Sequence, residues 1–134
     1  MDKIPTGAWV VVADGTRARI LCNVGKGIHA SLKQQQLVEP TDLDDDGPAG
    51  HQPPETSTAK IDEATFAKQL AHRLNAAALK NEFAHLVLMA DPQTLGLMRP
   101  LLHQETTRRM LGECAKTLTH APLEDIERAL KAMA

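Results

Sequence analysis

The sequence is poor in aromatic residues, which make up 2% of the chain: one tryptophan, two phenylalanines and no tyrosine. Surfaces that stack nucleic-acid bases need exposed aromatic rings, so base stacking is not expected of this protein. A hydrophobic core has to be built from aliphatic side chains and methionine instead.

Cysteine is also scarce. The two cysteines, Cys22 and Cys114, form no C-x-x-C pair, and a chain of 134 residues does not need a disulfide framework. Both are therefore expected to be reduced and buried. The six histidines include no H-x-x-x-H pair and have no cysteine at ligand spacing, which argues against a zinc site. No metal and no cofactor is predicted.

Long apolar runs and a strong net charge are missing as well. The N-terminal apolar run, Ala8 to Ala13, is too short for a signal peptide or a membrane span, which predicts a soluble, cytoplasmic protein without membrane insertion. The formal net charge is -2, so no global positive field would draw the molecule to nucleic acid or an anionic membrane. No DNA partner is predicted, and contact with any polyanion must use a local patch.

Two segments, residues 8–13 and 86–90, are apolar on both alternating faces, which is typical of strands covered on both sides of a sheet. An Asp-Gly turn follows the first, and residues 17–24 then alternate, which predicts a β-hairpin. A third strand is predicted within residues 28–38.

Helical spacing is clearest at residues 63–80. Asp91 before Pro92 predicts a helix cap, although Pro100 predicts a kink or a late start for that helix, which should turn Leu95, Met98, Leu101 and Leu102 inward. Residues 106–118 fit neither period cleanly and could form a last strand or part of a helix. A last helix is predicted after Pro122.

The predicted fold class is therefore α/β: a mixed sheet with an N-terminal antiparallel hairpin or meander, and helices packed against it. One domain over residues 1–134 is predicted, with a mobile, acidic, Pro- and Gly-rich loop at about residues 40–60. Within that loop, residues 42–47 match the start of a calcium loop, but Pro53 replaces the bidentate glutamate, so calcium binding is not predicted.

Two aspartates are candidate site residues, because Asp14 and Asp91 each end a buried strand. Open α/β sheets place ligand sites beyond the carboxyl ends of their parallel strands, and two converging carboxylates could hold Mg²⁺. The alternative is that Asp14 forms the hairpin turn and Asp91 caps a helix. Both interpretations stay open at this stage.

A second candidate is a local basic face, since no acidic residue lies between Glu63 and Glu82. Arg17 and Arg19 on the second strand could extend it or project into solvent. The full polyanion-binding set predicted on this basis is Arg17, Arg19, Lys68, His72, Arg73 and Lys80. The alternative for all of them is a solvated surface.

Four segments, WVVVADGTRARIL, FAKQLAHRLN, HLVLMADPQTLGLMR and LTHAPLEDIERAL, resemble in this order the bacterial host attachment protein family. The more specific elements are the A-D-G-x-x-A-R turn at residues 13–19, Asp91-Pro92 with the Leu-Gly pair that follows, and Leu118-Thr119 with Pro122. The resemblance implies a role in attachment to host cells. It also implies a relationship to the central domain of archaeal and eukaryotic peptide-chain release factors, which has a mixed α/β sheet.

Release factors of that kind that hydrolyse peptidyl-tRNA use a Gly-Gly-Gln loop, and no two of the eight glycines here are adjacent. The function predicted is therefore a non-catalytic intracellular binding module that contacts the ribosome, tRNA or another translation component. One alternative is a metal-dependent phosphodiesterase or nuclease that uses Asp14 and Asp91. Another is a protein-interaction module that regulates surface attachment.

Overall fold

The computed structural model describes residues 4–25, 31–39 and 63–133. The loop at about residues 40–60 and the calcium-like motif inside it lie outside the described residues.

Within the described ranges, five strands form one mixed sheet in the order β3-β2-β1-β4-β5. Strand β1 pairs antiparallel with β2, and β2 pairs antiparallel with β3. On the other side, β1 pairs parallel with β4, and β4 pairs parallel with β5. The predicted mixed α/β fold is thereby confirmed. The strands are β1 (Trp9–Ala13), β2 (Ala18–Asn23), β3 (Leu32–Val38), β4 (Leu86–Ala90) and β5 (Met110–Cys114).

Helices cover both faces of this sheet. The described helices are α1 (Glu63–Leu79), α2 (Pro92–Met98), α3 (Gln104–Arg109) and α4 (Leu123–Ala132). Helices α1 and α2 pack on one face, where Phe66 and Leu88 share a buried cluster. Helix α4 packs on the other, where Ile126 and Val87 share a second cluster. Strands β1 and β4 are buried along their whole length because alternate side chains enter these two layers.

The structure confirms the sequence-based prediction of α1, including which of its side chains are buried. The residues of the helix that the structure buries share the spacing of one helical face, and they are the residues that the periodicity assigned to the core. They are Phe66, Ala67, Leu70, Ala71, Leu74, Ala77 and Ala78.

The segment around Pro100 differs from its prediction. Helix α2 begins at Pro92 and ends at Met98, so it starts neither late nor with a kink. Pro100 lies in the 3-10 turn Arg99–Leu101, because a proline lacks the N–H that would continue the α-helix. Leu101, predicted to face inward, is 38% exposed as a result.

The ambiguous segment at residues 106–118 contains both elements, since α3 passes directly into β5 at Arg109 and Met110. Its period could not be assigned because a helix end and a short strand share one window. Cys22 and Cys114 are free thiols, but both are half-buried rather than buried. No helix in the described ranges combines the length and the apolar character that crossing a bilayer requires.

Candidate functional site

The carboxyl edge of the sheet is formed by the ends of β1 and β4, where Ala13 and Ala90 are register partners. Asp14 and Asp91 follow these two residues, so the structure places both aspartates at one edge. Helix α1 also begins at this edge. Its first residue, Glu63, lies so close to Gly15 that a methyl group added to Gly15 would be 2.4 Å from the Glu63 side chain. This is the edge at which open α/β sheets commonly bind ligands.

Asp14 organises the hairpin between β1 and β2. Its Oδ1 accepts hydrogen bonds from the backbone N–H of Thr16 at 2.7 Å and of Arg17 at 2.9 Å. The hydroxyl of Thr16 donates to the same oxygen at 2.9 Å. An aspartate that accepts from the N–H groups two and three residues on is a turn-forming residue, so Oδ1 has a structural role.

The second carboxylate oxygen of Asp14 accepts a 2.6 Å hydrogen bond from the hydroxyl of Thr119. Thr119 is 4% exposed and lies just before α4. Burial raises the pKa of Asp14, but the hydrogen bonds from Thr119, Thr16 and Arg17 together outweigh it and hold the pKa below its usual value. Asp14 is therefore ionised at neutral pH and shared between two segments of the chain.

Arg19 joins the same two segments from β2. Its Nη1 donates to the carbonyl oxygens of Ala121 at 2.6 Å and Thr119 at 3.3 Å, and its Nε donates to Oε1 of Gln34 at 2.7 Å. Burial lowers the pKa of Arg19, although a guanidinium stays charged at physiological pH. Asp14 and Arg19, from one hairpin, thus form a hydrogen-bonded node with Thr119, which is about 100 residues further along the chain.

Asp91 caps α2. Its Oδ2 accepts from the backbone N–H of Thr94 at 3.0 Å and its Oδ1 accepts from the Thr94 hydroxyl at 2.8 Å. All four carboxylate oxygens of Asp14 and Asp91 therefore accept protein hydrogen bonds. Among the residues that the structure describes, no group of three His, Cys, Asp or Glu side chains is placed to hold a metal ion. A cation at this edge would have to share these oxygens with the donors that they already have.

The cations of α1 differ in how firmly they are held. Lys68 and His72 are exposed on the helix, and Lys80 is exposed just beyond it. Arg73 instead donates from Nη2 to Oε1 of Gln36 at 3.1 Å, and its Nη1 lies 3.7 Å from Oε1 of Glu82. Its guanidinium carbon is 5.9 Å from the centre of the Trp9 ring, within cation–π range.

The six predicted cations do not form a single surface. Arg19 pairs with Val12 in the β1–β2 ladder, and Val12 belongs to the cluster on the α4 face. Helix α1 packs on the opposite face. Arg17 lies at the carboxyl edge, where its Nη2 is 3.8 Å from Oε2 of Glu39. Lys68, His72 and Arg73 thus lie on α1 and Lys80 follows it directly, whereas Arg19 lies on the other face of the sheet.

A groove of about 300 Å³ lies at the opposite edge, between the turn after α1 and the end of α3. It is lined by Asn81, Phe83, Ala84, Arg108 and Arg109. Sequence reasoning missed it because the two arginines lie at the helix–strand junction whose period could not be assigned. The one available signal was the adjacent arginine pair itself.

Among the solved structures that resemble this chain are two proteins of translation termination or a related process. The archaeal translation termination factor aRF1 has a TM-score of 0.45 and 14% sequence identity, over 94% of this chain and 38% of that protein. S. cerevisiae Dom34, described as a translation termination-like factor involved in RNA quality control pathways and interacting with Hbs1, has a TM-score of 0.42 and 11% identity, over 95% of this chain and 37% of its own. This chain thus spans well under half the length of either protein.

No curated protein has a sequence that matches this chain. A family profile does match, and it covers residues 7–130. The release-factor relationship implied by the sequence resemblance is confirmed by that match, whereas the attachment role stays a prediction. Because the matched residues are nearly the whole chain, this protein belongs to the bacterial archaeo-eukaryotic release factor family 12.

Proposed function

We propose that this protein is a non-catalytic binding module that contacts an RNA component of the translation machinery, the ribosome or tRNA, through the exposed cations of α1. The observation that supports this proposal is the exposure of Lys68, His72 and Lys80, which have no acidic partner among the described residues. Cations that are not neutralised by their neighbours remain available for phosphate groups.

Arg73 adds a positioned charge in the middle of this surface. Its contacts with Gln36, Glu82 and the Trp9 ring restrict the side chain, so it supplies a positive field more than a mobile contact. Arg19 is outside the proposed surface because its guanidinium is bonded to carbonyls on the other face of the sheet. Arg17 is also outside it, at the carboxyl edge beside Glu39.

The aromatic residues argue for contact with the phosphate backbone over base stacking. Trp9 is 7% exposed, Phe83 is 3% exposed and Phe66 is fully buried. None of them offers a ring face on which bases could stack. Binding is therefore expected to follow the shape and charge of the RNA, with little preference for sequence.

The cytoplasm is the proposed location of this activity, and an effect on attachment to host cells would follow indirectly, through translation. The alternative of a metal-dependent phosphodiesterase or nuclease has less support, because the carboxylate oxygens of Asp14 and Asp91 already accept protein hydrogen bonds. A module that binds only protein would, in contrast, not bind purified RNA.

The test is binding to tRNA and to ribosomes across a salt series. If three phosphates are neutralised, log affinity should fall against log salt with a slope of about -2 for single strands or nearer -3 for a duplex. The double variant Lys68→Gln/Lys80→Gln should flatten that slope by about 1.5, at nearly unchanged stability.

The matched control is Lys116→Gln/Lys131→Gln, which removes the same charge from exposed positions outside α1. It should keep the wild-type slope. The proposal fails if the wild type does not associate at low salt, or if both double variants bind with equal slopes. The protein-interaction module would be favoured by two results together. The protein would not bind purified RNA, and a partner captured from lysate would stay bound after ribonuclease treatment.

A further inference from the structure

The groove at the amino edge of the sheet lies away from Lys68, although Lys80 directly precedes Asn81 in its wall. The groove lies beyond the carboxyl end of α1, while Lys68 lies about three helical turns, or roughly 16 Å, before that end. Its walls come from the turn after α1 and from the last residues of α3. Its volume of about 300 Å³ is at the lower limit of small-ligand pockets, so it suits a compact group.

Arg109 is a fixed positive charge in one wall of this groove. Its Nη1 donates to the backbone carbonyls of Ala78 and, at 3.2 Å, of Phe83. Its Nη2 donates to Oδ1 of Asn81 at 3.0 Å. These bonds attach the guanidinium to the end of α1, where the Ala78 carbonyl also accepts from the Asn81 N–H, so its place does not depend on a ligand.

Arg108 is the freer of the two arginines. Its side chain is 65% exposed, and its Nη1 donates to Oε2 of Glu105 at 2.7 Å. Its Nε and Nη2 have no acceptor in the part of the chain that the structure describes. An arginine with two free donors in fork geometry is suited to bidentate recognition of an oxyanion.

The charge balance around the groove favours an anion. Glu105 is shared, because it also lies 3.6 Å from Nη2 of Arg109, so one carboxylate faces two guanidinium groups. The other nearby acid, Glu82, is 3.7 Å from Arg73. The two guanidinium groups thus exceed the one carboxylate between them by a single positive charge.

From this arrangement we infer that the groove binds a dianionic phosphate group, either inorganic phosphate or the terminal phosphate of a nucleotide, with Arg108 as the binding residue and Arg109 as the positioning residue. A dianion gains about twice the Coulomb attraction to these guanidinium groups that a singly charged carboxylate would gain. Its oxygens can accept from both free donors of Arg108, Nε and Nη2, as a bidentate pair.

The test is a calorimetric or NMR titration with inorganic phosphate and with AMP, at constant ionic strength, with acetate and adenosine as controls. Arg108→Gln should weaken binding of both phosphate compounds by about tenfold or more, the usual effect of losing a charged hydrogen-bond donor. Glu105→Gln should strengthen it, because it releases Arg108 from its competitor. Opposite effects of the two substitutions would not arise from a general loss of structure.

The matched control is Arg128→Gln, since Arg128 also forms an exposed i,i+3 ion pair, with Asp125 at 3.0 Å. It should bind phosphate as the wild type does. The inference is overturned if phosphate and AMP do not bind saturably, if Arg108→Gln binds them as well as Arg128→Gln does, or if acetate binds equally well.

Lys68 distinguishes this site from the proposed contact with RNA, because Lys68 lies far from the groove whereas Lys80 borders it. Lys68→Gln should leave phosphate binding unchanged. If the wild type binds phosphate but shows no salt-dependent binding to RNA, the proposed contact with RNA fails and the groove stands. If it binds RNA but not phosphate, the groove fails and the contact with RNA stands. Oligoribonucleotides with a 5′-phosphate or a 5′-hydroxyl distinguish the sources. A preference for the 5′-phosphate assigns the groove to an RNA end, and binding of free phosphate alone assigns it to a small molecule.

Discussion

The hydroxyl of Thr119 donates a 2.6 Å hydrogen bond to Oδ2 of Asp14 across 105 positions of the sequence. It connects the β1–β2 hairpin to the segment that leads into α4. We expect Thr119→Val, which keeps the shape of the side chain, to lower the free energy of unfolding by about 1–2 kcal/mol. Urea denaturation of both proteins at neutral pH measures this difference, and equal midpoints would contradict it.

The pKa of Asp14 also predicts how stability depends on pH. Its folded pKa is held below the usual value by hydrogen bonds, so the carboxylate stabilises the fold above the unfolded pKa, and this contribution is lost as pH falls through the folded pKa. As pH falls below the usual aspartate pKa of 3.8, the wild type should therefore lose more stability than Asp14→Asn, which keeps the turn but cannot titrate. Parallel urea series at each pH compare the two proteins; identical losses would rule out this role for Asp14.

Arg19 should matter for stability more than its exposed neighbour Arg17. Replacing Arg19 with Gln leaves the carbonyls of Thr119 and Ala121 without their charged donor, which should cost about 1–3 kcal/mol. Arg17→Gln removes only a surface ion pair at 3.8 Å and should cost less than about 0.5 kcal/mol. Thermal and urea unfolding of the two variants give the ranking, and a reversed order would show that Arg19 is not part of a stabilising node.

The buried stripe of α1 should carry much of the stability of the helical layer. Leu74 is fully buried, so Leu74→Ala removes apolar contacts and leaves a cavity, at a cost of about 2–5 kcal/mol. Leu79, on the same helix, is 57% exposed, and Leu79→Ala should change stability by less than about 0.5 kcal/mol. Comparison of the two unfolding midpoints tests the assignment of faces.

Divalent cations should have little effect on this protein, because the oxygens of Asp14 and Asp91 already accept protein hydrogen bonds. Saturating Mg²⁺ or Mn²⁺ should raise the melting temperature by less than about one degree, since only ligands that bind the folded state stabilise it. Asp91→Ala should cost about 1 kcal/mol through the lost cap, while Asp91→Asn should cost little. A large cation-induced shift that disappears in Asp14→Asn or Asp91→Asn would favour the phosphodiesterase alternative.

The candidate residues show where reading a sequence is effective. Asp91 was predicted to cap a helix because the cap and Pro92 are adjacent, and both features are local. The common edge of Asp14 and Asp91 followed from a rule about parallel strands. The basic face of α1 followed from its helical period, but the ion pair of Arg73 with Glu82 did not, since it depends on how the chain turns after the helix.

The sequence by itself determined the elements whose signals repeat within a few residues: the doubly apolar strands β1 and β4, the stripe of α1 and the Asp-Gly hairpin. It also predicted that the sheet is mixed, because a hairpin pairs antiparallel strands and a crossover helix connects parallel ones. The strand order β3-β2-β1-β4-β5 came from the structure. Only the tertiary structure decided that Arg19 faces α4, that Thr119 bonds to Asp14, and that Arg108 and Arg109 line a groove. Those relationships depend on the register and packing of elements distant in the chain, and no local period encodes them.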